Sequence, residues 1–158
     1  MKKRILFLGI VFLCNLVMVS ALDPKAVMDR AKELFGKEMA SIKGDKAGTT
    51  GKRYYFESFL NNSVVEIIDL DSREGSNTVD YVSYFEYQKN RRNIIERLEF
   101  WKTYFIQLAD INKEWTIDNT DSDVLKIFSN ELRIYLDKAE TRNESAGLWY
   151  FNCMLGKR

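Results

Sequence analysis

The chain has no histidine among its 158 residues. With histidine go the usual proton shuttle near neutral pH, the Ser-His-Asp and Cys-His arrangements and the imidazole ligands of most catalytic zinc centres. Acid–base work would fall to carboxylates, lysine or tyrosine. The stretch RYYFESFLNNSVVEIIDL (53–70) offers one pair of carboxylates. If Asn61-Asn62 closes a two-residue hairpin, Leu60 pairs with Ser63 and Glu57 stands opposite Glu66. Facing carboxylates can share a proton and split their pKa values, and such a pair could serve glycoside hydrolysis. A three-residue loop would instead set Glu57 opposite Ile67, and like charges directly opposite are unfavourable in any case. Glu57 and Glu66 are the weak catalytic candidates of the chain, and the expectation is that it is not an enzyme.

Other chemistries find less footing. The run KGDKAGTTGKR (43–53) carries the Gly51-Lys52 half of a phosphate-binding loop, but Lys46 stands where its first glycine belongs and Arg53 where its metal-binding hydroxyl belongs. It also precedes a strand-like segment, whereas a phosphate loop opens a helix whose N-terminus faces the anion. The acidic stretches DLDSREGSN (69–77) and DNTDSD (118–123) lack the glycine and glutamate spacing of a calcium loop, so turn and cap chemistry accounts for them. We expect no metal and no cofactor.

The first segment reads as an address. MKKR is a basic start, ILFLGIVFLCNLVMV an apolar stretch broken only by Asn15, and Val19-Ser20-Ala21 precedes a plausible cut before Leu22. That is the layout of a secretory signal peptide, with an apolar run shorter than a membrane span needs. The expectation is export to the periplasm or the cell exterior, with no integral span after cleavage. Without Lys2, Lys3 and Arg4 the 24 basic residues fall to 21 against 23 acidic ones, a net charge of −2. Such a body exerts no general attraction on nucleic acid, so no nucleic-acid partner is expected. Residues 22–158 keep one cysteine, Cys153, so no internal disulfide can form. A buried thiol or a disulfide between chains are its two uses.

Stepping along the remaining chain, residues 22–42 carry apolar side chains at helical spacing behind Asp23 and Pro24, a cap and a first-turn residue. Residues 43–52 read as a solvated linker. Residues 54–60, 63–70 and 78–88 are rich in aromatic and β-branched residues and read as strands. Asn90 caps a helix to about Asp110, and a second helix is expected from Asp123 to about Ala139, with Val124, Leu125, Phe128, Leu132, Tyr135, Leu136 and Ala139 as its stripe. LWYFNCML would return as a last strand. We find no repeat and no second domain. The fold class is therefore α+β: an N-terminal helix, an antiparallel sheet of three or four strands, and two later helices packed on it.

Nineteen of the 21 aromatic residues lie beyond position 21, and many fall on the strands. Most serve the core, yet tyrosine keeps its hydroxyl near water or a partner, and exposed Tyr and Arg are enriched at interfaces. Tyr55, Phe59, Tyr81, Tyr84, Tyr87, Arg91 and Arg92 are the binding candidates. The primary expectation is a small exported protein that binds another macromolecule, a protein partner above all. The alternatives are a carrier of a small apolar ligand or lipid in a sheet–helix cleft, and a carboxylate-based hydrolase.

Overall fold

A computed structural model describes residues 23–42, 46–50, 53–57, 64–70 and 78–158. The leader, Phe59 and the Asn61-Asn62 loop lie outside them. In chain order the elements are α1 (Pro24–Leu34), α2 (Met39–Ile42), β1 (Lys46–Thr50), β2 (Arg53–Glu57), β3 (Val64–Leu70) and β4 (Val79–Gln88). Then come α3 (Arg91–Ile111), β5 (Thr116–Asp118), β6 (Val124–Phe128), β7 (Leu132–Asp137), β8 (Thr141–Asn143) and β9 (Leu148–Lys157). The class is α+β, and all nine described strands join one antiparallel sheet. Its order is β1-β2-β3-β4-β9-β7-β6-β5, with β8 paired to β9. The sheet is thus wider than the three or four strands expected.

The helices form where capping and periodicity agree. Asp23 accepts the backbone N–H of Lys25 at 3.0 Å, and Pro24 sits in the first turn, where its missing N–H costs nothing. The helix expected over residues 22–42 is cut at Gly36, which adopts φ 75°, a left-handed conformation suited to glycine at a helix end. The chain then clips onto β4. Gly36 donates its N–H to the Val79 carbonyl and Val79 donates to that of Lys37, both at 3.0 Å. Only the single turn α2 remains of the rest. Helix α3 follows expectation: Asn90 accepts the Arg92 N–H at 2.8 Å, and Ile94, Leu98, Trp101, Phe105 and Ala109 make its buried stripe. Both α1 and α3 lie over the central strands β4 and β9.

Two expectations fail. The glycine-rich run 43–52 contains β1, which pairs with β2 as a hairpin arm. The helix expected over 123–139 is the β6–β7 hairpin. Its buried residues are Leu125 and Ile127 on one arm and Leu132, Ile134 and Leu136 on the other, a period of two. Ser129 shapes the turn: its N–H donates to the Leu132 carbonyl at 2.9 Å, and its hydroxyl accepts the N–H groups of Glu131 and Leu132 at 3.2 and 3.0 Å.

The two arms of the sheet share a coarse element order. From one edge the sheet reads β1-β2-β3-β4 and from the other β5-β6-β7-β9, each series preceded in the chain by one long helix. Some positions of α1 and α3 are alike in kind at one constant offset, while others, such as Lys32 and Glu99, are not. Asp23, Lys25, Val27, Asp29, Arg30, Ala31 and Leu34 correspond to Asn90, Arg92, Ile94, Glu96, Arg97, Leu98 and Trp101. In both, the cap side chain accepts from the second helical N–H. Both also carry an i,i+4 ion pair, Lys25–Asp29 and Arg92–Glu96. The two arms meet at β4 and β9, and β8, between β7 and β9 in the chain, has no counterpart in the first arm.

Candidate functional site

The sheet has two unlike faces. On the helix side Val82, Tyr84 and Glu86 of β4 alternate into the core with Phe151, Cys153 and Leu155 of β9. The rings of Trp101, Phe105 and Phe151 meet there edge to face, with centroids 5.5–5.9 Å apart. Two buried carboxylates cross this layer. Glu66, 2 % exposed, accepts the Tyr84 hydroxyl at 2.7 Å and faces the Arg30 guanidinium at 3.6 Å. Glu86, equally buried, takes both arms of Arg97, at 2.7 and 3.3 Å. A buried charge persists where hydrogen bonds and an opposite charge replace its water. Each pair also ties a helix to the sheet, α1 to β3 and α3 to β4.

Tyr84 therefore lies in the helix-side core and not on the open face. It is 1 % exposed, and burial followed by the Glu66 charge drives its phenol far above the ordinary range, so it stays protonated and donates. Cys153 is fully buried. Burial and then the Asp137 charge push its thiol up, so it lies in the core as a small hydrophobe.

The Glu57–Glu66 pair does not form. The β2–β3 register sets Glu57 opposite Val65 and Glu66 opposite Phe56, one position away from the alignment that facing carboxylates need. Among the described residues no group of three or more His, Cys, Asp or Glu side chains could hold a metal.

On the other face the sheet carries its aromatics without an overlying element among the described residues. Tyr81, Phe85 and Tyr87 of β4 and Tyr150, Asn152 and Met154 of β9 are all half-buried. Phe85, Tyr87 and Tyr150 form a triangle with centroids 5.4–6.5 Å apart. A second pair, Phe128 and Tyr135, meets edge to face at 6.1 Å on β6 and β7. Tyr81 lies flat over Gly156: a Cβ built on that glycine would sit 2.5 Å from the Tyr81 Cε1. An aromatic ring spread over a strand glycine replaces the missing side chain. Tyr55 falls opposite Ile67, in register with Ser83 and Met154 across β3, β4 and β9.

Polar groups border the triangle. Asp137, at the end of β7, accepts the Asn152 backbone N–H at 2.8 Å. Burial holds its carboxyl above the usual range, against the pull of that N–H. The side-chain oxygen of Asn152 is buried without a donor, a condition that costs free energy in a folded protein. Burial and the neighbouring Tyr150 likewise raise the Tyr87 phenol.

Of the binding candidates, the structure brings Tyr81 and Tyr87 onto this open face. Arg91 does not join them: it stacks 5.1 Å from the Trp149 ring and pairs with Glu140 at 2.7 Å, and Arg92 pairs with Glu96 along its own helix. The sequence reading missed Phe85, Tyr135, Tyr150, Asn152 and Asp137. Strict alternation along VDYVSYFEYQ separates Phe85 and Tyr87 from Tyr84, and would have found the first of them. The others needed β7 and β9 placed in register. No protein-family model, no curated protein and no solved structure matches the chain.

Proposed function

We propose that residues 1–21 direct export and that the protein is a non-catalytic binding protein of the periplasm or cell exterior. It engages another macromolecule through the open face of its sheet. The observation that carries this reading is the half-exposed set Tyr81, Phe85, Tyr87 and Tyr150 on a face that no described element covers. A broad sheet with one face sealed by helices and the other rich in tyrosine supplies large, rigid, amphipathic contact area at small entropic cost. The support for an apolar-ligand carrier is weaker, because Trp101, Phe105 and Phe151 occupy the layer between sheet and helices that such a ligand would need.

The test is site-specific photocrosslinking in the native host, with benzoylphenylalanine at Tyr87 or, as control, at Ile111 on the outer end of α3. The expected result is a saturable crosslink to one macromolecule from position 87 and none from 111, in protein that begins after Ala21. Equal labelling from both positions, or protein retained in the cytosol with Met1, overturns it.

A further inference from the structure

We infer that the partner is a protein that lays a lysine or arginine side chain across the Phe85–Tyr87–Tyr150 triangle, with its charge against Asp137. This rests on the open face being the docking surface and adds the chemistry of what docks. The triangle presents ring faces and edges within 6.5 Å of one another, and ring faces attract cations. Asp137 stands beside it. Its carboxylate bonds the Asn152 backbone, and Asn152 is the residue opposite Phe85. Two strand spacings, about 10 Å between backbones, separate the two ends of the site, within reach of one long basic side chain and its backbone.

The charge balance of this face favours a cation. Among the described residues Asp137 has no ion pair. The nearest lysine on the neighbouring strand, Lys126, is held by Asp121 at 2.8 Å. Lys138, next along the chain, donates its ammonium to the carbonyls of Asn119 and Asp121. Arg142 stacks on Trp149, at 5.6 Å, and Arg133 lies opposite Gly156, at the far end of β9 from Tyr150. The cations among the described residues thus leave this carboxylate unpaired. A guanidinium or ammonium brings donors to the Asp137 carboxylate and a delocalised or compact positive charge to the rings.

The probes are acetyl-Gly-Arg-Gly-amide and its citrulline counterpart, which keeps the shape and loses the charge. Each is titrated into 15N-labelled protein recovered after export. The expected result is saturable shifts of the Phe85, Tyr150 and Asn152 amides by the arginine peptide, at roughly millimolar affinity for so small a ligand. Asp137→Asn and Tyr150→Ala should each weaken binding roughly fivefold while the rest of the spectrum keeps its dispersion. Equal binding of the citrulline peptide, or an unchanged affinity in Asp137→Asn, overturns the inference. The crosslink from position 87 separates the two readings. A crosslinked segment free of Lys and Arg sinks this one and leaves the docking face standing. Absence of any crosslink from position 87 sinks the docking face and this inference with it, whatever the peptides do.

Discussion

Replacing Tyr84 by Phe removes one oxygen and tests whether the helix-side layer is structural and separate from the proposed docking face. Tyr84 and Glu66 are 1 % and 2 % exposed, and their bond is 2.7 Å long. Without the hydroxyl, the Glu66 carboxylate keeps the Arg30 guanidinium at 3.6 Å but loses its short donor in a site that water does not reach. A hydrogen bond to a charged group contributes about 1.5–3 kcal/mol. At roughly 2.1 cal/mol/K of unfolding entropy per residue, each kcal/mol moves the Tm of a chain this long by about 3–4 °C. Tyr84→Phe should therefore lower Tm by about 5–10 °C in a calorimetric scan and leave the arginine-peptide affinity unchanged. In a double-mutant cycle with Glu66→Gln the coupling should exceed about 1 kcal/mol, because the two changes delete the same bond. A Tm within about 1 °C of the parent, or strictly additive effects, refutes the buried donor. A loss of peptide binding with stability intact would put Tyr84 back on the binding face.

Gly156→Ala should cost about 1–3 kcal/mol, because the new methyl collides with the Tyr81 ring 2.5 Å away. Adding Tyr81→Ala should recover part of that loss in urea melts, and an additive result would place the ring elsewhere. Cys153, fully buried with its thiol pushed up, should react with a disulfide reagent at least about a hundredfold faster in urea than in buffer, and the native protein should run as a monomer without reductant. The Asp121 carboxyl is drawn down to about 2, first by the Lys126 ammonium and then by the Asp123 N–H. Its contribution is fully present above the ordinary carboxylate range and is lost as pH falls from about 4 towards 2. The gap in urea midpoint between Asp121→Ala and the parent should close over that window, and a gap constant with pH would show that the carboxylate is not stabilised. Asp137 has the opposite sign: burial penalises its charged form, so Asp137→Asn should raise Tm at pH 7 and give no gain near pH 3.

The elements legible in the sequence were those where local chemistry and pattern agree. Asn90 caps α3, its stripe repeats for five turns, and the aromatic run of β4 extends over ten residues. The β6–β7 hairpin was misread because a short loop between two alternating arms imitates a helical stripe. Leu125, Phe128 and Leu132 fall at helical spacing, while Ile127 and Ile134, fully buried, were the residues that did not fit. The turn carries no glycine, and no described non-glycine residue has positive φ, so the usual hairpin signal was missing. Tyr87 was nameable because tyrosines concentrate on β4. Asp137 was not, since its place beside Asn152 comes from pairing across strands β7 and β9, and no local pattern encodes that neighbour.

The seam between β4 and β9 has two unlike ends. Position three of β4 and of β9 is tyrosine in both, Tyr81 and Tyr150. Their partners differ: Tyr81 faces Gly156, and Tyr150 faces Tyr87. Were the seam formed by two copies of one strand, its two ends would have to be identical. Because β4 and β9 differ in sequence, one end closes over a glycine while the other gathers a third ring, Phe85, beside the tyrosine pair.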